Sequence, residues 1–475
     1  MSTETTSVPR GSADLEAANS PPEQPSVLAV VVTHDGRRWL RDSLVALANQ
    51  SYEHIDILVV DDASTRPREE PRLKRIVKRH LRRRRWGYLR TPRPLGYGAA
   101  INWALSRVRT DADYLLFVHD DAALTLSSVA KMVERLRHED RTAIVGPKIV
   151  SWDDPSVLEE VGMAIDRFGY PYKGLEQGEI DLGQHDRATE VFYVTSTVML
   201  VRHEVFKRMR GFDAHLGAYS EDLDLCWRAR LLGYTVRLEP GAVARHVIAM
   251  ATAQRSTRFG PPRYFIRRNR LHTITKNASG LRLLTLIPFF VLLTLGEMLG
   301  FLILREPREV GNLGRALMWN LVRFPQTLGE RRRVQSSRKV GDTDLSRLMV
   351  RLPSRLRVYA LDQAERLEET WGRRADIVSR KTTQARVATA RVKGRQVAVV
   401  VALFLLVVLG FRDFFWAPAA TFGEILPFPE GATSMWRQWA SPWQDAGLGS
   451  PGPAPTSFLV LGVVQFLSFG AVGFA

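Results

Sequence analysis

The chain is 475 residues long, too much for one typical domain, and its 67 Lys plus Arg against 50 Asp plus Glu leave a formal charge of +17. That surplus suits an anionic membrane surface, phosphorylated substrates or nucleic acid, but no nucleic-acid recognition motif accompanies it, which sets that partner aside. A single cysteine, Cys226, excludes an internal disulfide, and no Cys/His array has zinc spacing, so the core rests on packing and suits a cytoplasmic location.

Residues 1–25, rich in Ser, Thr, Glu and Pro, lack the basic start and apolar centre of a secretory signal and read as a disordered tail. Val27 to Thr33 is a continuous β-branched, apolar run, as a strand buried on both faces of a parallel sheet requires. An amphipathic helix is predicted over 37–50, and Ile55 to Val60 is the next strand, ending on Asp61-Asp62-Ala63-Ser64. A basic helical segment over 67–85 closes on Arg82-Arg83-Arg84-Arg85, read as a solvated or membrane-facing surface. Trp86 to Leu89 makes a short strand, Gly96 to Leu105 a helix, and Tyr114 to Val118 a strand ending on His119-Asp120-Asp121. Strand, helix, strand, helix, with polar residues at each strand's carboxyl end, predicts an open α/β sheet with its ligand crevice there.

Paired aspartates at two such strand ends are more than helix capping needs. The chemistry that uses them is metal-bridged diphosphate binding, in which a hard divalent cation takes carboxylate oxygens and offsets the charge of a departing phosphate. Between 143 and 219 short strands alternate with Gly-containing turns, Val191 to Val201 being the strongest, followed by a helix start at Arg202 to Phe206. Ser220 to Arg228 then crowds Glu221, Asp222 and Asp224 where a helix should begin. A helix N-terminus favours such charge, and Asp224 has an i, i+4 partner in Arg228. Carboxylates at close quarters also raise a pKa, as a general base needs, so a capped helix and an acid–base site both remain open from the residues alone. Thr235 to Leu238 is strand-like, and Val243 to Val247 sets His246 between apolar neighbours, where a histidine is more often structural than a ligand.

Taken together these motifs resemble the family 2 inverting glycosyltransferases of GT-A fold, especially the rhamnosyltransferase-like and galactofuranosyltransferase-like enzymes of actinobacterial envelope synthesis. Val-Val-Val-Thr-His-Asp-Gly at 30–36 is similar to the family's first strand and its nucleotide-contacting end. Val-Val-Asp-Asp-Ala-Ser at 59–64 is similar to its Val-Asp-Asn-x-Ser motif, Leu-Gly-Tyr-Gly-Ala-Ala-Ile-Asn at 95–102 to its Leu-Gly-Phe-Ala-x-x-x-Asn element, and His-Asp-Asp at 119–121 occupies its Asp-x-Asp position. Gly-Phe-Asp at 211–213 with Glu-Asp-Leu-Asp-Leu-Cys-Trp-Arg at 221–228 resembles the acceptor-side signature, and Tyr264 to Arg270 its Tyr-x-x-x-Arg-Asn-Arg close. The likeness covers about 27–275.

The resemblance implies a donor site of Thr33, Asp35, Asp61, Asp62, Gly96, Asn102 and Asp120, with Asp61 at the donor base. It implies Asp121 and His246 as ligands of a divalent cation, Mg2+ or Mn2+, and Asp222 as catalytic base with Glu221 beside it. His119 stands where the first aspartate of the motif often stands, a departure, and Pro94 replaces a common asparagine before Leu-Gly. The function implied is transfer of a sugar, rhamnose or galactofuranose, from a nucleotide-diphosphate sugar to a cell-envelope glycan or polyprenyl-linked acceptor. The competing readings are a polyprenyl-phosphate glycosyltransferase of the dolichol-phosphate-mannose-synthase type and a catalytically degenerate scaffold.

The expected organisation is a GT-A domain over 26–275, membrane-associated helices over 276–328, a basic helical cytoplasmic segment over 329–395, and transmembrane helices over 396–475 with an extracytoplasmic loop at about 417–455. Leu281 to Leu304 is long enough to span a bilayer, although Glu297 is costly inside one. The arginine-rich region that follows belongs in the cytoplasm beside the donor, so 281–304 is expected to lie in the membrane plane or re-enter rather than cross, the alternative being a short hairpin with 316–322. Val397 to Phe411 is the first expected crossing, and the apolar run from Ser457 to Ala475 reads as part of a longer, multi-pass membrane protein.

Overall fold

The computed structural model describes residues 24–350, apart from 37–38, 66–68, 167, 177, 248–261 and 304, together with 443–444 and 450–451. The expected tail up to residue 23, the basic segment after residue 350, the crossing at 397–411 and the closing apolar run lie outside them. The chain divides into two units, 1–367 and 368–475.

In the first unit the order is β1 (Val27–Thr33), α1 (Leu40–Ala48), β2 (Ile55–Asp61), α2 (Glu69–His80), β3 (Trp86–Arg90), α3 (Tyr97–Leu105), β4 (Tyr114–His119), β5 (Ala122–Leu124), α4 (Ser128–His138) and β6 (Thr142–Ser151). Then come β7 (Leu158–Glu160), β8 (Ala164–Asp166), β9 (Pro171–Tyr172), β10 (Val198–Arg202), α5 (His203–Arg208), α6 (Glu221–Leu231) and β11 (Thr235–His246). Helices α7 (Pro262–Asn277), α8 (Gly280–Ile303), α9 (Pro307–Val322), α10 (Phe324–Ser336) and α11 (Asp342–Ser346) follow, with β12 (Met349–Val350). In the second unit β13 (Trp443–Gln444) pairs antiparallel with β14 (Ser450–Pro451).

A nine-stranded mixed sheet runs β3-β2-β1-β4-β10-β6-β11-β5, with β7 on β6. Strands β1 to β4 pair parallel, while β10 is antiparallel to both neighbours, β4 and β6. The alternation of β1 explains the two cores. Val27, Ala29 and Val31 pack with Leu40, Leu44, Leu73, Val77 and Met132 of α1, α2 and α4, while Leu28, Val30 and Val32 pack with Ala100, Ile101, Phe206 and Trp227 of α3, α5 and α6. Register places Thr33 opposite Asp61, and Val32 opposite His119, so the carboxyl ends of β2, β1 and β4 form one edge.

Two expectations are corrected. Residues 191–197 are not strand: only Val198–Arg202 joins the ladder. The Val191 and Phe192 carbonyls accept from the Arg230 guanidinium, and the Thr195 N–H and hydroxyl donate to the Glu160 carboxylate, at 3.1 and 2.8 Å. The segment is apolar because it is buried against α6, and its backbone pairs only at isolated points, chiefly Tyr193 with Met163. Within the 82–85 run, Arg84 is half-buried and donates to the carbonyls of Ala48, Gln50, Tyr52 and Glu53, closing the turn after α1.

Helix α8 is the one helix among the described residues long and apolar enough to cross a membrane, and only 17% of its apolar window is buried. Leu281, Leu284, Leu292, Leu295, Leu299 and Leu302 recur at helical spacing on its exposed side. Glu297 is turned the other way and pairs with Arg267 of α7, which removes the expected cost of a carboxylate on that apolar surface.

Candidate active site

Thr33, at the end of β1, donates its hydroxyl to Asp120 Oδ2 at 2.6 Å, tying β1 to the end of β4. The chain after Thr33 then passes so close that a Cβ on Gly36 would lie 1.8 Å from Asp120 Oδ2. Asp35, held at a positive φ of 54°, accepts from the N–H and hydroxyl of Thr65 at 3.0 and 3.1 Å, so the two strand-end loops are stitched together. Asp61 is fully buried and accepts from the Ser64 N–H and the Tyr88 hydroxyl, both at 2.9 Å, and from Arg90. Asp62 accepts from the Thr91 hydroxyl and from the backbone N–H groups of Leu95 and Gly96, at 2.9, 2.8 and 2.9 Å. It thereby clamps the turn that starts α3. Gly96 stands there at φ 90°, where a Cβ would lie 2.2 Å from the Gly217 carbonyl oxygen.

Asn102 is the predicted donor residue that the structure does not bring to this edge. It lies near the far end of α3, where its amide pairs both ways with Phe212, Nδ2 to the carbonyl at 2.7 Å and the Phe212 N–H to Oδ1 at 3.0 Å. Its geometry fixes the Gly-Phe-Asp loop.

Beyond Asp120 the next side chain, Asp121, faces two imidazoles. His246 Nε2, from the end of β11, is 3.4 Å from Asp121 Oδ1, and His119 Nδ1 is 3.9 Å from the same oxygen. Ligand atoms of the three lie within 4.8 Å of one another, close enough for one ion. The fit follows from the donor set: imidazole nitrogens and a carboxylate oxygen converging from β4 and β11, which meet where β11 pairs with β5. His119, a departure in the sequence motif, is thus part of the cluster.

Helix α6 brings the acidic pair. Tyr219 and Ser220, immediately before it, both adopt left-handed backbone, φ 67° and 68°. That strain persists because Asn269 of α7 overdetermines the loop, donating its amide to the carbonyls of Leu216, Ala218 and Tyr219 at 3.0, 2.6 and 2.7 Å. Burial pushes the Glu221 carboxyl up to about 8, with the charge of Asp222 adding to it, and burial pushes Asp222 up to about 6. Glu221 Oε2 is buried with no hydrogen-bond partner, which capping does not explain. Asp224, by contrast, pairs with Arg228 at 2.8 Å, as the i, i+4 spacing predicts, and with Lys276 at 2.8 Å. It belongs to the interior.

Tyr97 and Ser196 connect the two groups. The Tyr97 ring sits edge-on to His119, centroids 4.6 Å apart, and burial with the charges of Glu221, Asp222, Asp120 and Asp121 holds its hydroxyl well above the ordinary tyrosine value. Its hydroxyl donates to the Ser196 carbonyl at 3.0 Å. Ser196 Oγ lies 3.2 Å from His119 Nε2 and 3.3 Å from Glu221 Oε1. Tyr97 sits inside a motif legible in sequence; Ser196 carries no sequence signal.

An open mixed sheet carrying its polar groups on the carboxyl edge of β1, β2 and β4 is the GT-A arrangement of nucleotide-sugar glycosyltransferases. Residues 28–210 match the model for Glycosyl transferase family 2, and the chain carries a domain of that family. Over 204 residues it is 27% identical to the O-antigen biosynthesis protein RfbC of Myxococcus xanthus, covering 42% of this chain and 15% of that protein. It is 27% identical to the pre-mycofactocin glycosyltransferase of Mycobacterium tuberculosis, covering 48% and 44% of the two chains, and 27% identical to rhamnosyltransferase WbbL of Escherichia coli, covering 46% and 83%. The chain therefore spans less than half the length of the first two relatives. Among solved structures it is similar to GalNAc-T7 with UDP, GalNAc and Mn2+, at a TM-score of 0.43 and 13% identity over 54% of this chain and 48% of that one.

Proposed function

We propose that the protein is a membrane-associated inverting glycosyltransferase that moves a sugar, rhamnose or galactofuranose, from a nucleotide-diphosphate donor to a cell-envelope glycan or polyprenyl-linked acceptor. The observation that carries this reading is the meeting, through Tyr97 and Ser196, of a His-Asp-His cluster with an acidic pair, Glu221 buried and Asp222 half-buried, whose pKa values are raised. Asp222 takes the proton of an acceptor hydroxyl, the oxygen attacks the anomeric carbon, and the nucleoside diphosphate leaves from the opposite face. One displacement inverts the centre. Asp121, His246 and His119 would hold a divalent cation, which supplies charge to offset the diphosphate. Their nitrogen donors weight the site toward a transition ion over Mg2+, a hard cation of oxygen ligands. Thr33, Asp35, Asp61, Asp62, Gly96 and Asp120 shape the donor side of the crevice.

A polyprenyl-phosphate acceptor would arrive as an anion with less need of a base, so the raised Asp222 favours a hydroxyl. His119 within the ligand cluster counts against a degenerate scaffold. The relative named as a rhamnosyltransferase supports rhamnose as the first donor to try.

The test is equilibrium binding of UDP-, dTDP- and GDP-sugars to the full chain with Mn2+ or with EDTA. At least one sugar nucleotide should bind about tenfold or more tightly with Mn2+, about 1.4 kcal/mol. Binding of none, or binding indifferent to the metal, would refute the proposal.

For the membrane, the leucine side of α8 supports an in-plane helix seated on lipid, its Glu297 drawn inward by Arg267, with the catalytic unit on the cytoplasmic side. The L292E/L299E double variant should lose flotation with anionic liposomes, and undiminished flotation would count against this seat.

A further inference from the structure

Ser196 makes more contacts with the proposed machinery than any role in chain folding would need. The residue is buried at 2% exposure between β4 and α6, in the segment that leaves the sheet before Val198. Its hydroxyl lies between His119 Nε2, at 3.2 Å, and Glu221 Oε1, at 3.3 Å. Its backbone N–H donates to Asp222, and its carbonyl accepts from Tyr97 at 3.0 Å. Next to it, the His119 N–H donates to the Thr197 carbonyl at 2.9 Å, which fixes how β4 approaches the serine.

A hydroxyl has one proton to give. If His119 ligates through Nδ1, the nitrogen that faces Asp121, its proton sits on Nε2 and the Ser196 oxygen accepts it. The serine's own proton is then directed to Glu221 Oε1. We propose that Ser196 is a positioning residue, whose hydroxyl selects the coordinating tautomer of His119 and, through the same atom, holds Glu221 beside Asp222. Metal ligands are commonly oriented in this way by a partner on the second ring nitrogen, and loss of that partner costs about 10- to 100-fold in metal affinity. This inference rests on the reading of His119, Asp121 and His246 as a cation site.

The experiment uses the full chain, Mn2+ alone as ligand, and the variants S196A, S196T and H119Q. Long-range nitrogen–proton spectra of metal-free, histidine-labelled protein should place the His119 proton on Nε2 in the wild type, with mixed tautomers in S196A. The Mn2+ dissociation constant should rise about tenfold or more in S196A, and stay within about threefold in S196T, which keeps the hydroxyl. A wild-type His119 protonated on Nδ1, or an S196A protein with unchanged tautomer and unchanged Mn2+ affinity, would overturn the proposal. The H119Q variant separates the failures. If it weakens Mn2+ while S196A does not, Ser196 alone is misassigned; if H119Q leaves Mn2+ affinity intact, the cation-site reading falls and this inference with it. Should S196A fail to fold, the wild-type tautomer and the S196T affinity still decide.

Discussion

Two clusters among the described residues bring imidazole and carboxylate groups within 4.8 Å of one another, and they differ in what else reaches them. His119, Asp121 and His246 gather at the carboxyl edge of the sheet, while Asp213, His272 and Glu330 gather where the Gly-Phe-Asp loop meets α7 and α10. The second cluster has its cation built in. Lys276, 3% exposed, pairs with both Asp213 and Asp224, and Arg228 closes the network by donating to Asp224 and to the carbonyls of Met209 and Gly211. His272 Nε2 is 2.8 Å from Asp213, and its Nδ1 is 3.1 Å from the Thr327 hydroxyl. An ammonium beside the carboxylate competes with any metal ion there, so histidines near carboxylates are not enough to define an ion site. The neighbouring charge decides.

The comparison breaks most visibly at Lys276. Lys276→Met should leave the buried Asp213 and Asp224 carboxylates without the ammonium they share, with only Arg228 and the two histidines as charged partners, and cost up to about 3–5 kcal/mol in urea denaturation, with Mn2+ affinity unchanged. A small cost, or a change in Mn2+ binding, would erase the distinction between the clusters. Asp121→Asn should do the reverse, weakening Mn2+ more than about 100-fold while leaving the denaturation midpoint near wild type. Calorimetric titration with Mn2+ reads this directly.

The smallest effect belongs to His215. Hydrogen bonds to Asp213 first and to Glu330 push its pKa from 6.5 up to about 9. Because the folded value exceeds the unfolded one, protonated His215 stabilises the fold; the contribution is complete below pH 6.5 and is lost as pH rises through 9. The melting temperature of wild type should therefore fall more steeply than that of His215→Asn between those values, and parallel profiles would remove His215 from the network.

What the sequence disclosed follows from how local the physics is. The apolar runs at 27–33, 57–60 and 114–118 were legible because strand segments buried on both faces must be apolar throughout. Asp224 with Arg228 was legible because the pair is spaced by one helical turn. Residues 191–197 misled because burial against α6 produces the composition of a strand without its ladder. Asp62 and Asn102 stand in recognisable motifs, yet their clamping of the Gly96 turn and of Phe212 depends on partners brought near by the fold. His119 looked like a departure until β11 carried His246 to within 5.8 Å, ring centre to ring centre. Lys276 and Ser196 had no signal at all, since their partners lie tens of residues away and neither neighbourhood has a pattern of its own.

The central claim is that Asp222 is the base of a metal-assisted transfer, and Asp222→Asn tests it most directly. With the donor that the binding panel identifies, this variant should bind sugar nucleotide and Mn2+ within about twofold of wild type yet lose about 100- to 10,000-fold in turnover. Wild-type activity should also rise with pH through about 6, as Asp222 ionises. Turnover near wild type in the variant, with donor binding intact, would contradict the account.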